Sequence, residues 1–545
     1  MMEQPNVPEG QGKPGWQTWL AGRNEGWLTR ISILVVWFAA VAAMSIRHVP
    51  FRDEVRALSI AAGANSLPDL FQKLKFEGHP MLWYVLLGLA HHIVPTPGVV
   101  KAVSVAVAFG SVAIFLFRAP FPLWFRCFFL FCGLPFYEYS VMARNYGISM
   151  LLMFAFAACY SSRRNPVLLG FILFLLANTN APSLILAGLL LGIPIWDYIA
   201  CGRRVEARPR RIAVAAGAAL AISGIVLCVL TGGRAGGDST VYRVVPASRL
   251  VASTARSVVD SGGQFLAITG MDTGASGMVR LLEHGDSPNG VVQALSAGLS
   301  YLLLLFAIGG LLKRPILLLA SLAALWGMAT FFRAIYAGQY RQQGLWLVFV
   351  LTLYWLAEAR QYPLRWPRLT AWLQRISWRL ALPLLLLISF VIGAHKAVAD
   401  WRLPYSSSRE LGQLLHSSDD LRRAVVMAEP EWLIDAVPYY ADNRLYLLRQ
   451  SRYGDTARWT RFEKLRMSLG ELLSTAHRVH TESGRPVVIV MYHSLDAPQS
   501  EIDDFEQFRF SFTEAEAAQF RAETRHLASF RRARSGENYD VYLLN

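Results

Sequence analysis

Immediately after the first long apolar run, at 27–46, the chain carries Asp53 and Glu54 within Phe51-Arg52-Asp53-Glu54. Carboxylates at a membrane exit are costly unless they are solvated or used. A positioned carboxylate can take a proton from a poor nucleophile such as a hydroxyl. Three further polar clusters interrupt apolar sequence: Glu77-Gly78-His79-Pro80, the stretch Tyr137-Glu138-Tyr139-Ser140-Val141-Met142-Ala143-Arg144-Asn145-Tyr146, and Gln339-Tyr340-Arg341-Gln342-Gln343-Gly344. Arg144 and Arg341 supply guanidinium groups, which grip phosphate in a bidentate manner. Each cluster also has a plainer reading. Asp53 and Glu54 would be an interfacial charge pair, Glu138 and Arg144 would pair with each other near a helix end, His79 would be an interfacial imidazole, and Arg341 would mark a membrane boundary.

The elements that must position these residues are membrane spans. The 545-residue chain is 54% hydrophobic and only 17% charged, well under the charged share of a soluble domain. The deficit is confined to the first 400 residues or so. Runs near the ~20-residue length of a span fall at 27–46, 80–95, 99–117, 121–137, 142–160, 166–178, 180–198, 212–231, 291–311, 315–335, 341–358 and 378–397. The net charge of +15 comes largely from Arg in short loops, which suits membrane orientation better than nucleic-acid binding. Arg163-Arg164, the Arg203–Arg211 group, Lys313-Arg314 and the Arg360–Arg379 group alternate so that all four can sit in the cytoplasm, together with the tail 1–26. The Asp53 loop, Arg144, Asn178-Thr179-Asn180, the loop 232–290, Arg341 and everything after 398 then lie outside. Parity fails at one place. Between Asp53 outside and Arg118–Arg126 inside there are two runs, 80–95 and 99–117, where an odd number must cross, so the expectation is about eleven spans. The Ala-x-x-Ala-Ala ending of the first run could pass for a signal-peptide site, but the many spans that follow favour a membrane anchor.

Between the first two spans, Glu54–Gly63 has an apolar stripe of Val55, Leu58 and Ala62. Ser66 is a good N-cap for a second helix, with Pro68 in its first turn and Asp69 placed to reach back; Phe71, Leu74 and Phe76 give it an apolar side. The loop 53–76 thus reads as two short helices lying on the membrane surface. The five cysteines, Cys127, Cys132, Cys159, Cys201 and Cys228, lie outside the long loops and give neither a disulfide framework nor a Cys-x-x-Cys pair. One His and a few carboxylates scattered over this length do not establish a metal site. His91 and His92 read as packing, and Asn178–Asn180 as a turn that satisfies backbone.

After about Ser406 the pattern becomes that of an α/β layer domain, 398–545. Ala424–Met427, Arg444–Leu448, Pro486–Met491 and Tyr539–Leu544 read as strands; Glu431–Ala441, Trp459–His480 and Phe512–Phe520 read as helices. No Gly-rich phosphate loop opens these helices, so a nucleotide-sugar site there is unsupported. In the Gly- and Ser-rich loop 232–290, Ser253–Val259 is the one stretch that reads as helical.

The order of these parts resembles the GT-C superfamily of polyprenyl-phosphate-sugar-dependent glycosyltransferases, which includes protein O-mannosyltransferases and the aminoarabinose transferases of lipid A. The shared pattern is a first span, an acidic motif (Asp53-Glu54), surface helices (55–76), a His-Pro lead-in to the next span (His79-Pro80), then the aromatic, Arg-containing patch 137–146 and the late Arg-containing patch 339–344. The resemblance covers roughly residues 27–400, and the C-terminal domain does not closely match the family's best-known outer domains. It implies a polytopic α-helical membrane protein, GT-C-like, in a bacterial inner membrane with an extracytoplasmic site. It implies a polyprenyl-phosphate-linked sugar as donor, a lipid, glycan or protein acceptor, and room for a divalent cation as cofactor. Asp53 would be the base and Glu54 its catalytic neighbour; Arg341, with Arg144 second, would stabilise the leaving phosphate; His79, Glu138, Tyr146 and Tyr340 would bind substrate. A transporter would instead show paired repeats and broken midplane helices, and an O-antigen-type ligase or polymerase would gather its Arg and His in one late loop.

Overall fold

The computed structural model describes residues 26–74, 77, 79–162, 165–202, 208–232, 253–254, 256–257, 261–269, 290–335, 338–359, 366–457, 464–495, 499–504 and 508–545. Most of the loop 232–290, the tail 1–25, residues 75, 76 and 78, and parts of three of the four basic loops lie outside the described residues. Ser253–Val259 is described only at 253–254 and 256–257, which are helical.

Seven helices are long and apolar enough to cross a membrane: Trp27–Arg47, Val99–Arg118, Ala181–Ile199, Arg211–Thr231, Ala294–Lys313, Pro315–Ala334 and Pro367–Arg402. Four more passes run between the same two ends of the bundle: the broken element Leu123–Leu130 and Leu134–Glu138, then Tyr146–Ser161, Pro166–Ala177 and Tyr340–Ala359. Among the described residues this makes eleven passes. Tyr340–Ala359 is the central one, buried on every side from Gln343 to Ala357, as an all-round apolar helix must be.

Close backbone crossings hold the bundle. A Cβ on Gly133 would come within 2.7 Å of the Ser389 carbonyl oxygen, and one on Gly170 within 2.1 Å of that of Gly217. Only glycine allows helices to meet at such separations. The Gly133 contact falls where Leu123–Leu130 gives way to the π-turn Leu134–Glu138, so the break delivers Glu138 against the last pass.

Two polar layers mark the ends. At the base end, Arg314 binds Asp197 at 2.6 and 2.7 Å and the Tyr160 hydroxyl at 3.0 Å, and Arg118 donates to Ser162 at 2.8 Å. At the head end, Lys101 donates to the Ser45 and His48 carbonyls at 2.7 Å. Val99–Arg118 therefore runs from head to base. The run 80–95 forms only Leu82–Ile93. It packs on the helix Arg52–Ala62, Gly88 facing Ala61, and the Leu82 N–H donates to the Asn178 carbonyl at 3.2 Å. It stays at the head end, which resolves the parity.

The two helices after the first pass form as expected, at Arg52–Ala62 and Leu67–Lys73. Ser66 caps the second, accepting from the Asp69 N–H at 3.2 Å, while the Asn65 N–H donates to Asp69 at 2.9 Å. The second is largely exposed, with Leu70 its one buried residue, but the setting of the first differs from a surface helix. Val55, Arg56, Ala57, Leu58 and Ile60 are all buried, because the C-terminal domain covers the first helix. Arg52 lies over the Trp432 ring at 3.7 Å, and the Arg52 N–H donates to Glu537 at 3.1 Å.

The domain's main sheet has the order β1-β5-β9-β8. β1 (Val425–Glu429) and β5 (Val487–Met491) are parallel; β9 (Tyr539–Leu544) pairs antiparallel with β5 and with β8 (Arg525–Phe530). β1, β5 and β9 are buried throughout because apolar clusters cover both faces. The expected strand 444–448 contracts to β2 (Tyr446–Leu447), paired with β3 (Arg452–Tyr453). A third sheet joins β4 (Arg466–Ser468), β7 (Phe508–Phe512) and β6 (Gln499–Asp504). Three helix expectations shift. Glu431–Ala441 is two 3-10 turns, Glu431–Ile434 and Val437–Tyr439, since Pro438 lacks the N–H that a continuous helix needs. Of the helix expected at Trp459–His480, residues 459–463 lie outside the described ones, 466–468 form a strand, and the helix begins at Leu469, where Ser468 and Glu471 form a capping box. Likewise Thr513 and Glu516 start a helix at Glu514, leaving Phe512 in a strand.

Candidate functional site

Asp53 sits in the first turn of Arg52–Ala62, which Phe51 and Glu54 initiate. Glu54, at the third helical position, accepts the Phe51 N–H at 3.1 Å, and its other oxygen accepts the Ala143 N–H at 2.5 Å. One fully buried carboxylate thus ties the helix of Asp53 to the turn that carries Arg144. Arg144 ion-pairs with Asp53, and Arg52 Nε stands 3.6 Å from it. Burial alone would raise the Asp53 carboxyl, but Arg144, then Arg52 and Arg341, hold it well below the usual carboxylate range. Its side chain keeps 41% exposure, so it faces an open space while charged.

The late patch converges on the same end. Arg341 Nε lies 3.8 Å from Glu138, Lys396 ion-pairs with Glu138, and Lys396 also lies 4.9 Å over the Tyr340 ring. Glu138, Arg341 and Lys396, together with Tyr137, Met142, Tyr405 and Arg534, line a pocket of about 170 Å³. Three cations face one carboxylate there, so the pocket is cationic and suits an anion. Tyr405 joins it to the Asp53 turn through its ring contact with Phe51, 5.2 Å between centroids. Glu138 and Arg144 do not pair with each other: Arg144 goes to Asp53, and Glu138 to Lys396 and Arg341.

The remaining sequence candidates take supporting places. The Tyr340 hydroxyl bonds Ser389 at 2.6 Å, turned toward the last pass, while its ring lies under Lys396. Tyr146 stacks on Tyr139 and accepts from Gln342 at 3.1 Å. His79 is half-buried; burial first, then Arg144, push its imidazole down to about 4, so it is neutral at neutral pH. Asn178, Thr179 and Asn180 are buried and bonded to backbone and to Ser149, as a backbone-satisfying turn should be. Among the described residues no three His, Cys, Asp or Glu side chains converge to hold a metal.

Sequence reading missed His48, Tyr137, Lys396, Asp400, Tyr405 and Arg534. His48 is fully buried and bridges Glu54 at 3.0 Å and Asp400 at 2.7 Å, and the Tyr137 hydroxyl donates to Asp400 at 3.0 Å. Lys396 and Asp400, one turn apart near the end of the last apolar run, were a legible signal, since paired charges there exceed what a boundary needs. Arg534, in a loop of the C-terminal domain, had none.

Over 97% of its length the chain is similar to two solved structures of ArnT from Cupriavidus metallidurans, covering 98% of each. One is in the apo state, at 11% identity and TM-score 0.43; the other is bound to undecaprenyl phosphate, at 12% identity and the same TM-score. No family model matches the chain, and no curated protein sequence does.

Proposed function

We propose that the protein is a membrane glycosyltransferase that moves a sugar from a polyprenyl-phosphate carrier to an acceptor hydroxyl, with inversion at the anomeric carbon. The observation that carries this reading is the meeting, at one end of the bundle, of a charged, accessible Asp53 and a cationic pocket built by Arg341, Lys396 and Arg534. The carrier's phosphate fits the cationic pocket, with its isoprenoid chain among the apolar helices beside it. The acceptor hydroxyl approaches the far side of the sugar. As its oxygen bonds to the anomeric carbon, the bond from that carbon to the phosphate oxygen breaks and the proton passes to Asp53. The charge gathered on the leaving phosphate is met by Arg341 and its cationic neighbours. Arg144 holds the Asp53 carboxylate in place through their ion pair, and because that pair lowers its basicity, proton uptake requires Arg144 to turn from Asp53 toward the leaving phosphate as the acceptor binds. Glu54 is a positioning residue here, since its oxygens are committed to His48 and to two backbone N–H groups. We place the head end and the C-terminal domain on the extracytoplasmic face of a bacterial inner membrane, on the strength of the basic loops at the other end.

The test is Asp53→Asn, which keeps shape and removes the base. Turnover with an authentic lipid-linked donor should fall at least ~100-fold with insertion into the membrane intact. Near-normal transfer by that variant would take Asp53 out of the mechanism.

A further inference from the structure

A second pocket, of about 220 Å³, lies between the helices Arg52–Ala62 and Leu67–Lys73 and the loop after β3. Ser59, Ile60, Lys73 and Glu77 form one wall; Asp455 and Thr456, from the C-terminal domain, form the other. A buried ionic triad holds the walls at a fixed separation. Arg56 binds Glu77 at 3.0 and 2.5 Å and Asp435 at 2.7 Å, and Asp435 accepts the Ala457 N–H at 3.0 Å, next to Thr456. Within the C-terminal wall, Arg452 donates to Gln450 at 2.6 Å and to the Thr456 carbonyl at 3.3 Å.

The lining supplies two carboxylates (Glu77 and Asp455), two cations (Lys73 and Arg452), two hydroxyls and the edge of Ile60. Its charges balance, so no isolated ion of either sign is favoured, and the polar lining disfavours an acyl chain. Sugar hydroxyls, each both donor and acceptor, suit such a lining, with the ring's apolar face on Ile60. The His79 imidazole lies within electrostatic reach of Arg144 and Asp53, and also of Glu77, which lines the pocket.

We infer that this inter-domain pocket binds one sugar residue of a saccharide acceptor, an assignment that rests on the transferase reading above. It makes the C-terminal domain part of acceptor recognition, because Arg452, Asp455 and Thr456 come from it.

The experiment uses the full chain in lipid nanodiscs, with methyl α-D-glucopyranoside as soluble probe and saturation-transfer NMR as readout. Undecaprenyl phosphate binding is measured on the same samples. Asp455→Asn and Thr456→Val, both outside the Asp53 and Arg341 groups, should each weaken probe binding about tenfold and leave undecaprenyl phosphate binding unchanged. Absence of saturation transfer with the wild-type protein, or signals from both variants equal to the wild type's, would overturn the assignment. Failure of undecaprenyl phosphate to bind, with the probe result intact, counts against the donor reading and leaves the sugar pocket standing.

Discussion

His48→Leu should destabilise the protein by about 3–5 kcal/mol at pH 7, as removal of one partner from a buried ionic cluster does. His48 has no exposure and joins three elements: the end of the first pass, the helix start through Glu54, and the last pass through Asp400. Burial alone would lower its imidazole, but Glu54 and Asp400 more than reverse this and push it up to about 9, from 6.5. At about 1.4 kcal/mol per pH unit that interval corresponds to ~3 kcal/mol, in line with the loss expected from removing the side chain. Because the folded state binds this proton more tightly than the unfolded chain, the stabilisation is full below about pH 6.5 and is lost as pH rises through 9. Unfolding by SDS titration in mixed micelles, followed by tryptophan fluorescence at pH 6.5, 8 and 9.5, reads both quantities. The gap between wild type and His48→Leu should shrink by most of its size across that range. A gap under about 1 kcal/mol at pH 7, or one that does not change with pH, would refute a charged His48 bridging two carboxylates.

Arg56→Met leaves Glu77 and Asp435 buried without their shared partner and should cost about 3–5 kcal/mol; an unchanged thermal midpoint with unchanged protease resistance of the C-terminal domain would show that the triad does not couple the domain to the bundle. Glu514→Cys, at an exposed position in a cysteine-free background, should react with a membrane-impermeant maleimide added outside the inner membrane of spheroplasts; reaction only after the membrane is opened would reverse the proposed orientation.

The individual passes were readable from the chain because apolar length is a local property: a span must satisfy its own backbone and face lipid along ~20 residues. The caps at Ser66–Asp69 are local for the same reason. The run 80–95 shows where that stops. Its composition is that of a span, yet only a helix at the head end forms, and what fixes it there is packing against Arg52–Ala62. Within the C-terminal domain, apolar runs located β1, β5 and β9, while β4, β6, β7 and β8 lack the continuous apolar signal and were passed over.

For the site, the sequence determined which groups stand beside apolar runs, and so marked Asp53, Glu138, Arg144 and Arg341. Tertiary structure alone decided the partners. His48 meets Asp400, Arg56 meets Asp435, and Arg534 enters a pocket with Arg341, across hundreds of residues of intervening chain. Charge pairing in a low-dielectric interior depends on distance in space, and that distance is set by how the passes cross at Gly133 and Gly170 and by a soluble domain seated on the first helix after the membrane.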